Sequence, residues 1–120
     1  EIKDHELVNS FLKNKNIKII PPAGFIDIIN LEINCNLVIT DSGGLQKEAF
    51  FFKKPCVILR EQTEWIEIVE NGNAVLTGPN QKQIISAAEK LLCKKDFTYP
   101  PIFGDGNAGN FICSKILSDL

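Results

Sequence analysis

The fold of this chain is decided by one stretch, Leu37-Val38-Ile39-Thr40-Asp41-Ser42-Gly43-Gly44-Leu45-Gln46-Lys47-Glu48-Ala49. An apolar run typical of a buried strand stops at a small polar turn and continues directly as a helix-forming segment. Two adjacent glycines leave bare backbone where the helix begins, so a ligand can approach the main chain closely. The first amides of a helix have no carbonyl partner within it and lie at the positive end of its dipole, which suits phosphate.

Two side chains of this stretch are candidates for contact with the same ligand. The hydroxyl of Ser42 and the carboxylate of Glu48 can each form hydrogen bonds to it. In a simpler interpretation, Ser42 only caps the helix and the glycines only form a tight turn. From this stretch alone, both interpretations stay open.

Composition limits the class of protein. The chain has 120 residues, so we expect residues 1–120 to form a single domain or part of one. Hydrophobic residues make up 44% and charged residues 23%, as in soluble globular domains. The formal net charge of -2 gives no electrostatic reason to expect nucleic acid or an anionic membrane as a partner. We expect neither a signal peptide nor a membrane span, which needs about 20 apolar residues.

Cysteine and histidine are too sparse and too widely spaced for a metal centre. The four cysteines are Cys35, Cys56, Cys93 and Cys113, and the single histidine is His5. No zinc-ligand spacing occurs among them, so no metal site is predicted. Cys35 and Cys56 lie in or beside apolar runs, which favours buried free thiols and a reducing, cytoplasmic compartment.

Apolar runs and helical patterns alternate along the chain. Strands are predicted at residues 17–20, 37–40, 56–59 and 74–76, and helices at about 4–14, 25–33, 43–52, 64–70, 80–93 and 108–118. This alternation predicts an α/β fold with a parallel sheet covered on both faces. Right-handed crossovers place the turns that follow the strands at one sheet edge, where ligands bind. We expect the turns at residues 21–25, 41–44 and 60–64 to share that edge.

The turn after the third predicted strand offers a cation and an aromatic ring. Arg60 can pair with a phosphate, or form a surface salt bridge to Glu61 or Glu64. Trp65 is more typical of a packed core or interface than of stacking on a base. A two-carboxylate acid–base mechanism with Glu48 and Glu64 is not favoured, because a carboxylate beside a phosphate site more simply accepts hydrogen bonds from sugar hydroxyls.

Five motifs occur in a fixed order along the chain. They are Asp41-Ser42-Gly43-Gly44-Leu45-Gln46-Lys47-Glu48-Ala49, Lys54-Pro55, Leu59-Arg60, Thr63-Glu64-Trp65-Ile66-Glu67 and Phe103-Gly104-Asp105-Gly106-Asn107-Ala108. In these motifs and their spacing, from about Pro21 to the end, the chain resembles the UDP-N-acetylglucosamine 2-epimerase family. The last motif is similar to the family's closing Tyr-Gly-Asp-Gly-x-Ala.

The resemblance implies a fold and a set of ligand contacts. Family members have two Rossmann-like domains in a glycosyltransferase-B arrangement, with the nucleotide sugar between them. This chain would be most of the C-terminal half, a Rossmann-like parallel sheet flanked by helices. By the same resemblance, Ser42, Gly43 and Gly44 hold the phosphates of UDP or UDP-N-acetylglucosamine, and Glu48 holds the ribose hydroxyls.

Two parts of the family pattern differ in this sequence. Phe25 and Ile28 occupy positions that border the uracil in the family, where the second residue is usually aromatic. A backbone contact at Ile28 would survive that change. Many members read Thr-Glu-Arg-Pro-Glu, and that arginine contacts the ligand. Here the position is Trp65, as in a Thr-Glu-Trp subgroup, so the contact is absent or shifts to Arg60.

The resemblance also implies a reaction that needs no cofactor. The family removes the proton at C2 of the sugar and expels UDP to give a glycal, then adds UDP back to give the mannosamine epimer. Its acid–base residues lie upstream of the matched region, so we expect no catalytic residue in this chain and no activity from it alone. The implied partners are an N-terminal domain and a second copy in a homodimer. The implied setting is polysaccharide biosynthesis in the cytoplasm.

The chain begins at Glu1 and contains no methionine, and only four strands are predicted. We therefore expect a piece of a longer protein. Two alternatives to an epimerase remain. One is a nucleotide-sugar glycosyltransferase of the same architecture, and the other is a non-catalytic nucleotide-binding or interaction module.

Overall fold

The computed structural model describes residues 5–119. In that part of the chain the elements are α1 (His5–Lys13), α2 (Phe25–Asn34), β1 (Val38–Thr40), α3 (Gly43–Phe51), β2 (Cys56–Ile58), α4 (Ile66–Glu70), β3 (Ala74–Leu76), α5 (Gln81–Cys93) and α6 (Ala108–Ser118). The chain divides into two compact units, the first ending at Leu31 and the second beginning at Glu32. The single domain over residues 1–120 stays a prediction.

The second unit is built on a parallel sheet in the order β1-β2-β3. Val38 is opposite Cys56, and Cys56 is opposite Ala74. All three residues of the central strand β2 are buried, as its continuous apolar sequence requires in a sheet covered on both faces. The predicted parallel α/β fold is confirmed.

Alternate residues of β2 serve two separate cores, because successive side chains of a strand point to opposite faces. Cys56 and Ile58 pack with Ala49 and Phe50 of α3 and with Ile68 of α4. The second core, on the other face, contains Val57, Ala87 and Leu91, the last two from α5. The sheet is therefore covered by α3 and α4 on one face and by α5 on the other.

The strand predicted at residues 17–20 is wrong. These residues form no strand and are exposed, and among residues 5–119 the sheet has three strands instead of four. An apolar run becomes a strand only where its backbone pairs with a neighbour, and no described strand pairs with this one. The turn at residues 21–25 was expected at the carboxyl edge only because a strand was predicted before it, so that expectation no longer has a basis.

At several positions the structure can be compared with the sequence expectation in detail. The helix predicted at about 4–14 starts outside the described residues. Cys56 is buried as predicted, but Cys35 is only half-buried. Phe50 is buried in the core, whereas Phe51 on the same helix is exposed. Helix α4 ends at Glu70 with Asn71 as its C-cap, and Gly72 beyond it has a φ of 77° that favours glycine.

The segment after α5 returns across the core. The side-chain amides of Asn71 and Asn73 donate to the carbonyl oxygen of Thr98, over 2.8 and 3.0 Å. The rings of Tyr99 and Phe103 then pack against Phe50, with centroids 5.3 and 5.6 Å away. This return places the closing motif next to α3.

Candidate functional site

The β1–α3 turn (residues 41–44) is held from both sides. The backbone N–H of Ser42 donates to Oγ1 of Thr40 over 3.0 Å. The Ser42 hydroxyl accepts from the N–H of Leu45 over 3.5 Å, so Ser42 is the N-cap of α3. The capping interpretation of Ser42 therefore describes this structure. A contact that long is weak, and the hydroxyl keeps its own proton for another acceptor.

The two glycines are not required by backbone conformation. Neither Gly43 nor Gly44 has a positive φ, so the tight-turn interpretation gives no reason for glycine at either position. A methyl group on Gly43 would lie 3.4 Å from Oε2 of Glu64, and one on Gly44 would lie 3.8 Å from Oγ of Ser42. What the glycines provide is uncovered backbone at the first two amides of α3, where no helix carbonyl is available as acceptor.

The β2–α4 loop (residues 59–65) brings an ion pair to this turn. Arg60 forms two hydrogen bonds with Glu64, 3.0 and 2.9 Å long. The Arg60 guanidinium holds the pKa of the Glu64 carboxyl below its ordinary value. Of the two interpretations of Arg60, the salt bridge to Glu64 is present here. Because both side chains are exposed, the pair contributes little to stability, and Arg60 is free to exchange partners.

Two side chains fasten the β2–α4 loop to α3. The Thr63 hydroxyl donates to Oε1 of Gln46 over 2.5 Å. The indole N–H of Trp65 donates to the carbonyl oxygen of Gly43 over 2.8 Å. The loop and the β1–α3 turn therefore form one connected edge of the sheet. Sequence reasoning missed Gln46 and Thr63, although both lie inside the quoted motifs.

Trp65 also belongs to an aromatic group around a lysine. Its ring meets Phe103 edge-on, with centroids 5.6 Å apart. Nζ of Lys47 lies 4.3 Å from the Trp65 ring centroid and 4.7 Å from that of Phe103, within the range of a cation–π contact. Trp65 thus packs within the protein, as its residue type suggested, and it offers no positive charge to a ligand.

Glu48 lies one helical turn beyond Gly44 on the same face of α3. Its carboxylate faces that of Glu32, a buried residue in the last turn of α2. Burial, and next the negative charge of Glu48, raise the pKa of Glu32 to about 7. Sequence reasoning missed Glu32, because nothing in its local pattern distinguishes it from a surface glutamate.

A third turn lies beside Arg60. The N–H of Gly78, which follows β3, donates to the carbonyl oxygen of Arg60 over 3.2 Å. An open cleft of about 570 Å³ lies between the two turns, lined by Arg60, Thr77 and Asn80 among others. Sequence reasoning did not identify this turn as part of the sheet edge. The third turn at this edge is therefore the one after β3, which contains Gly78, and not the turn at residues 21–25 that the sequence predicted.

The predicted site residues fall into two groups. Ser42, Gly43, Gly44, Glu48 and Arg60 all lie in the second unit, on α3 or the loops beside it. Phe25 is 69% exposed and Ile28 is half-buried, and both lie on α2 within the first unit. Their contact with uracil stays a prediction.

The part of the chain that the structure describes contains neither a group of metal ligands nor a membrane-spanning helix. Within residues 9–119, no three Cys, Asp or Glu side chains are grouped so that they could hold a metal ion. None of the helices α1 to α6 is long and apolar enough to cross a membrane.

Residues 3–117 match the family model of UDP-N-acetylglucosamine 2-epimerase. The chain belongs to this family. It is 43% identical over 111 residues to the UDP-N-acetylglucosamine 2-epimerase of Methanocaldococcus jannaschii, which covers 92% of this chain and 30% of that relative. It is 44% identical over 100 residues to the UDP-2,3-diacetamido-2,3-dideoxy-D-glucuronate 2-epimerase of Pseudomonas aeruginosa, which covers 83% of this chain and 28% of that relative.

The solved structures of this epimerase family agree with the fold. The crystal structure of the M. jannaschii enzyme in complex with UDP-GlcNAc and UDP matches with a TM-score of 0.78 and 41% identity. That match covers 94% of this chain and 31% of the other. Epimerases of this family have a glycosyltransferase-B-like fold. The chain spans about 30% of the length of the curated relatives it matches.

Proposed function

We propose that this chain is the C-terminal, UDP-binding part of a UDP-N-acetylglucosamine 2-epimerase that interconverts UDP-GlcNAc and UDP-ManNAc. The observation that carries the proposal is the β1–α3 turn. Two glycines leave the first amides of α3 uncovered at the carboxyl edge of a parallel sheet, although neither glycine is needed for the turn itself. Such an edge is where nucleotides bind in this class of fold.

Each polar group of the site then has a role toward the nucleotide. The amides of Gly43 and Gly44 and the Ser42 hydroxyl donate to the diphosphate. Arg60 leaves Glu64 and pairs with the same phosphates, since it lies beside Gly43 and its exposed ion pair is easily exchanged. Glu48, one turn further along α3, accepts hydrogen bonds from the ribose hydroxyls.

The proposed reaction is an elimination followed by an addition. A base removes the proton at C2 of the sugar, and its electron pair forms the C1–C2 double bond as the C1–O bond to UDP breaks. UDP then adds back at C1 while a proton reaches C2 from the opposite face. The residues of this chain stabilise the charge on the departing diphosphate, and the groups that move the C2 proton come from elsewhere in the protein.

The proposal includes further parts of a longer protein. We infer that residues 1–120 are one C-terminal domain, that an N-terminal domain closes the cleft, and that the full-length protein is a cytoplasmic homodimer serving polysaccharide biosynthesis. In support, α6 carries large apolar side chains that are more than half exposed, Phe111, Ile112, Ile116 and Leu117. Exposed apolar surface of this kind marks a place where other protein packs.

One comparison favours a second substrate. A relative of similar identity is named for UDP-2,3-diacetamido-2,3-dideoxy-D-glucuronate. Both substrates share UDP and differ only in the sugar, and the residues described above contact the UDP part. The second candidate function is therefore 2-epimerisation of that sugar nucleotide.

The deciding experiment follows the C2 proton. The full-length protein is incubated in heavy water with each of the two sugar nucleotides, and proton NMR follows the C2 signal. We expect UDP-ManNAc to form from UDP-GlcNAc with deuterium at C2. Exchange with only the diacetamido substrate would establish the second candidate. Sugar transfer to an acceptor without C2 exchange would identify a glycosyltransferase, and UDP binding without turnover would identify a non-catalytic module.

A further inference from the structure

Glu32 is a buried carboxyl with no fixed hydrogen-bond donor. It is 4% exposed, and among residues 9–119 neither of its carboxylate oxygens has a hydrogen-bond donor as a partner. No described lysine or arginine forms an ion pair with it. An ionised carboxylate in such a place is unfavourable, because it has left water without gaining a partner.

Among the side chains that the structure describes, the groups around Glu32 leave Glu48 as its main partner. Cys56 on β2 has its pKa raised to about 12 by burial and by the nearby Glu32 and Cys35, so its thiol is neutral at neutral pH. The Cys35 thiol donates to the backbone carbonyl oxygen of Glu32 over 3.2 Å and leaves the carboxyl alone. Glu48 on α3 is the charged group that faces it.

Two carboxyls in this arrangement are stable when they share one proton. With Glu32 protonated, its O–H can donate to one oxygen of Glu48, and the remaining lone pairs of Glu48 stay available to a ligand. With both groups ionised, they repel each other, and Glu48 moves on its flexible side chain, since Glu32 is enclosed. The two protonation states therefore hold Glu48 differently.

We propose that Glu32 is a positioning residue for nucleotide binding: protonated, it donates a hydrogen bond to Glu48 and holds that carboxylate toward the ribose hydroxyls. This inference rests on the proposed function, in which Glu48 receives the ribose. Glu32 itself does not touch the nucleotide. Because burial and Glu48 raise the pKa of Glu32 to about 7, the ribose contact weakens as pH rises through that value.

The test measures the contribution of the ribose hydroxyls directly. Calorimetry gives the affinity of the full-length protein for UDP and for 2′-deoxy-UDP at about pH 6 and about pH 8.5. The affinity for UDP divided by the affinity for 2′-deoxy-UDP measures the contribution of the ribose hydroxyl contact. Ionisation of the phosphates affects both ligands alike and cancels in this ratio. The protein is measured as wild type, as Glu32→Gln, whose amide donates at every pH, and as Glu32→Leu, which cannot donate.

The expected pattern separates positioning from packing. In the wild type the ratio of UDP affinity to 2′-deoxy-UDP affinity falls about 3- to 10-fold from the lower to the higher pH, as expected for the loss of one ordinary hydrogen bond. Glu32→Gln keeps the high ratio at both pH values, and Glu32→Leu has the low ratio at both. Circular dichroism confirms that the variants are folded.

Other patterns overturn the inference. If the wild-type ratio does not change with pH, or if Glu32→Leu matches the wild type at about pH 6, Glu32 only packs. The proposed function survives both results as long as UDP binds with preference over its deoxy analogue. If UDP does not bind at either pH, the proposed function fails and this inference fails with it.

Discussion

Trp65 donates its indole N–H to the backbone carbonyl oxygen of Gly43, with 2.8 Å between the two atoms. The resemblance in sequence implies a ligand-contacting arginine at this position in many members of the family. Here the side chain contacts the protein's own backbone and ties the β2–α4 loop to the β1–α3 turn. The positive charge nearest to Gly43 is then Arg60, whose Nη1 would lie 3.9 Å from a methyl group at that position.

Trp65→Phe removes this hydrogen bond and keeps an aromatic ring beside Phe103. We expect the free energy of unfolding to fall by about 1 kcal/mol, the net value of one hydrogen bond, and UDP to bind more weakly because the turn is less restrained. Thermal unfolding and calorimetry measure the two effects. Tyr99→Phe is the control, since it removes a hydroxyl from the same aromatic group and leaves the Trp65–Gly43 hydrogen bond in place. Equal UDP affinity in the two folded variants would contradict the role of Trp65.

Gly43→Ala tests the uncovered backbone. The added methyl group has room in the fold, since its nearest neighbour is an ordinary 3.4 Å away. It does cover the amide that the diphosphate approaches, so we expect UDP affinity to fall roughly 10-fold, the loss of a charged hydrogen bond, with little change in thermal stability. Gly109→Ala in α6, where a methyl group meets nothing within 4 Å, is the control and keeps full affinity. Normal affinity in Gly43→Ala would remove this turn from the site.

Glu64→Gln tests whether Arg60 exchanges partners. The substitution removes a negative charge beside Gly43 and releases the guanidinium, so we expect UDP to bind about 2- to 5-fold more tightly, in keeping with the small value of an exposed ion pair. Arg60→Gln should weaken UDP binding instead. Both are measured by calorimetry at low salt, with Glu61→Gln as the control for a change in net charge alone. A gain of the same size in Glu61→Gln would show that only net charge matters.

Much of this site follows from the sequence, because short-range rules decide its parts. An apolar run, a capping serine and two glycines place the turn between β1 and α3, and Lys54-Pro55 followed by an apolar run places β2. The strand expected at residues 17–20 failed because pairing depends on a distant partner, which no local pattern reports. The same limit hid Glu32. Its burial, and its position against Glu48, arise only in the folded second unit, which begins at Glu32.

Glu48→Gln separates a ribose ligand from a catalytic base. The substitution keeps the shape and loses the charge, so we expect UDP binding to weaken by roughly 1–3 kcal/mol, the value of a charged hydrogen bond. Turnover at saturating substrate should fall far less than binding. Calorimetry gives the first quantity, and NMR of the epimer gives the second. Normal UDP binding with abolished turnover would instead assign Glu48 to proton transfer at C2.

The stability of the protein should depend on pH through Glu32. Its pKa rises from the ordinary 4.5 to about 7 in the folded state. The folded protein therefore holds a proton that the unfolded chain has already released, and unfolding between these values loses that proton. By linkage, the stabilising contribution of Glu32 is fully present below about pH 4.5 and is lost as pH rises through about 7.

The difference in stability between Glu32→Gln and the wild type isolates this effect, because other titrating groups contribute equally to both proteins. We expect the free energy of unfolding of Glu32→Gln to rise relative to that of the wild type by up to about 1.4 kcal/mol for each pH unit inside that window. Above the window, the difference should not grow further. Denaturant unfolding of the full-length protein at several pH values measures the difference. Glu89→Gln, an exposed residue on α5, is the control and should follow the wild type. A constant difference between Glu32→Gln and the wild type would mean that Glu32 is already ionised in the folded protein, and that it cannot donate to Glu48.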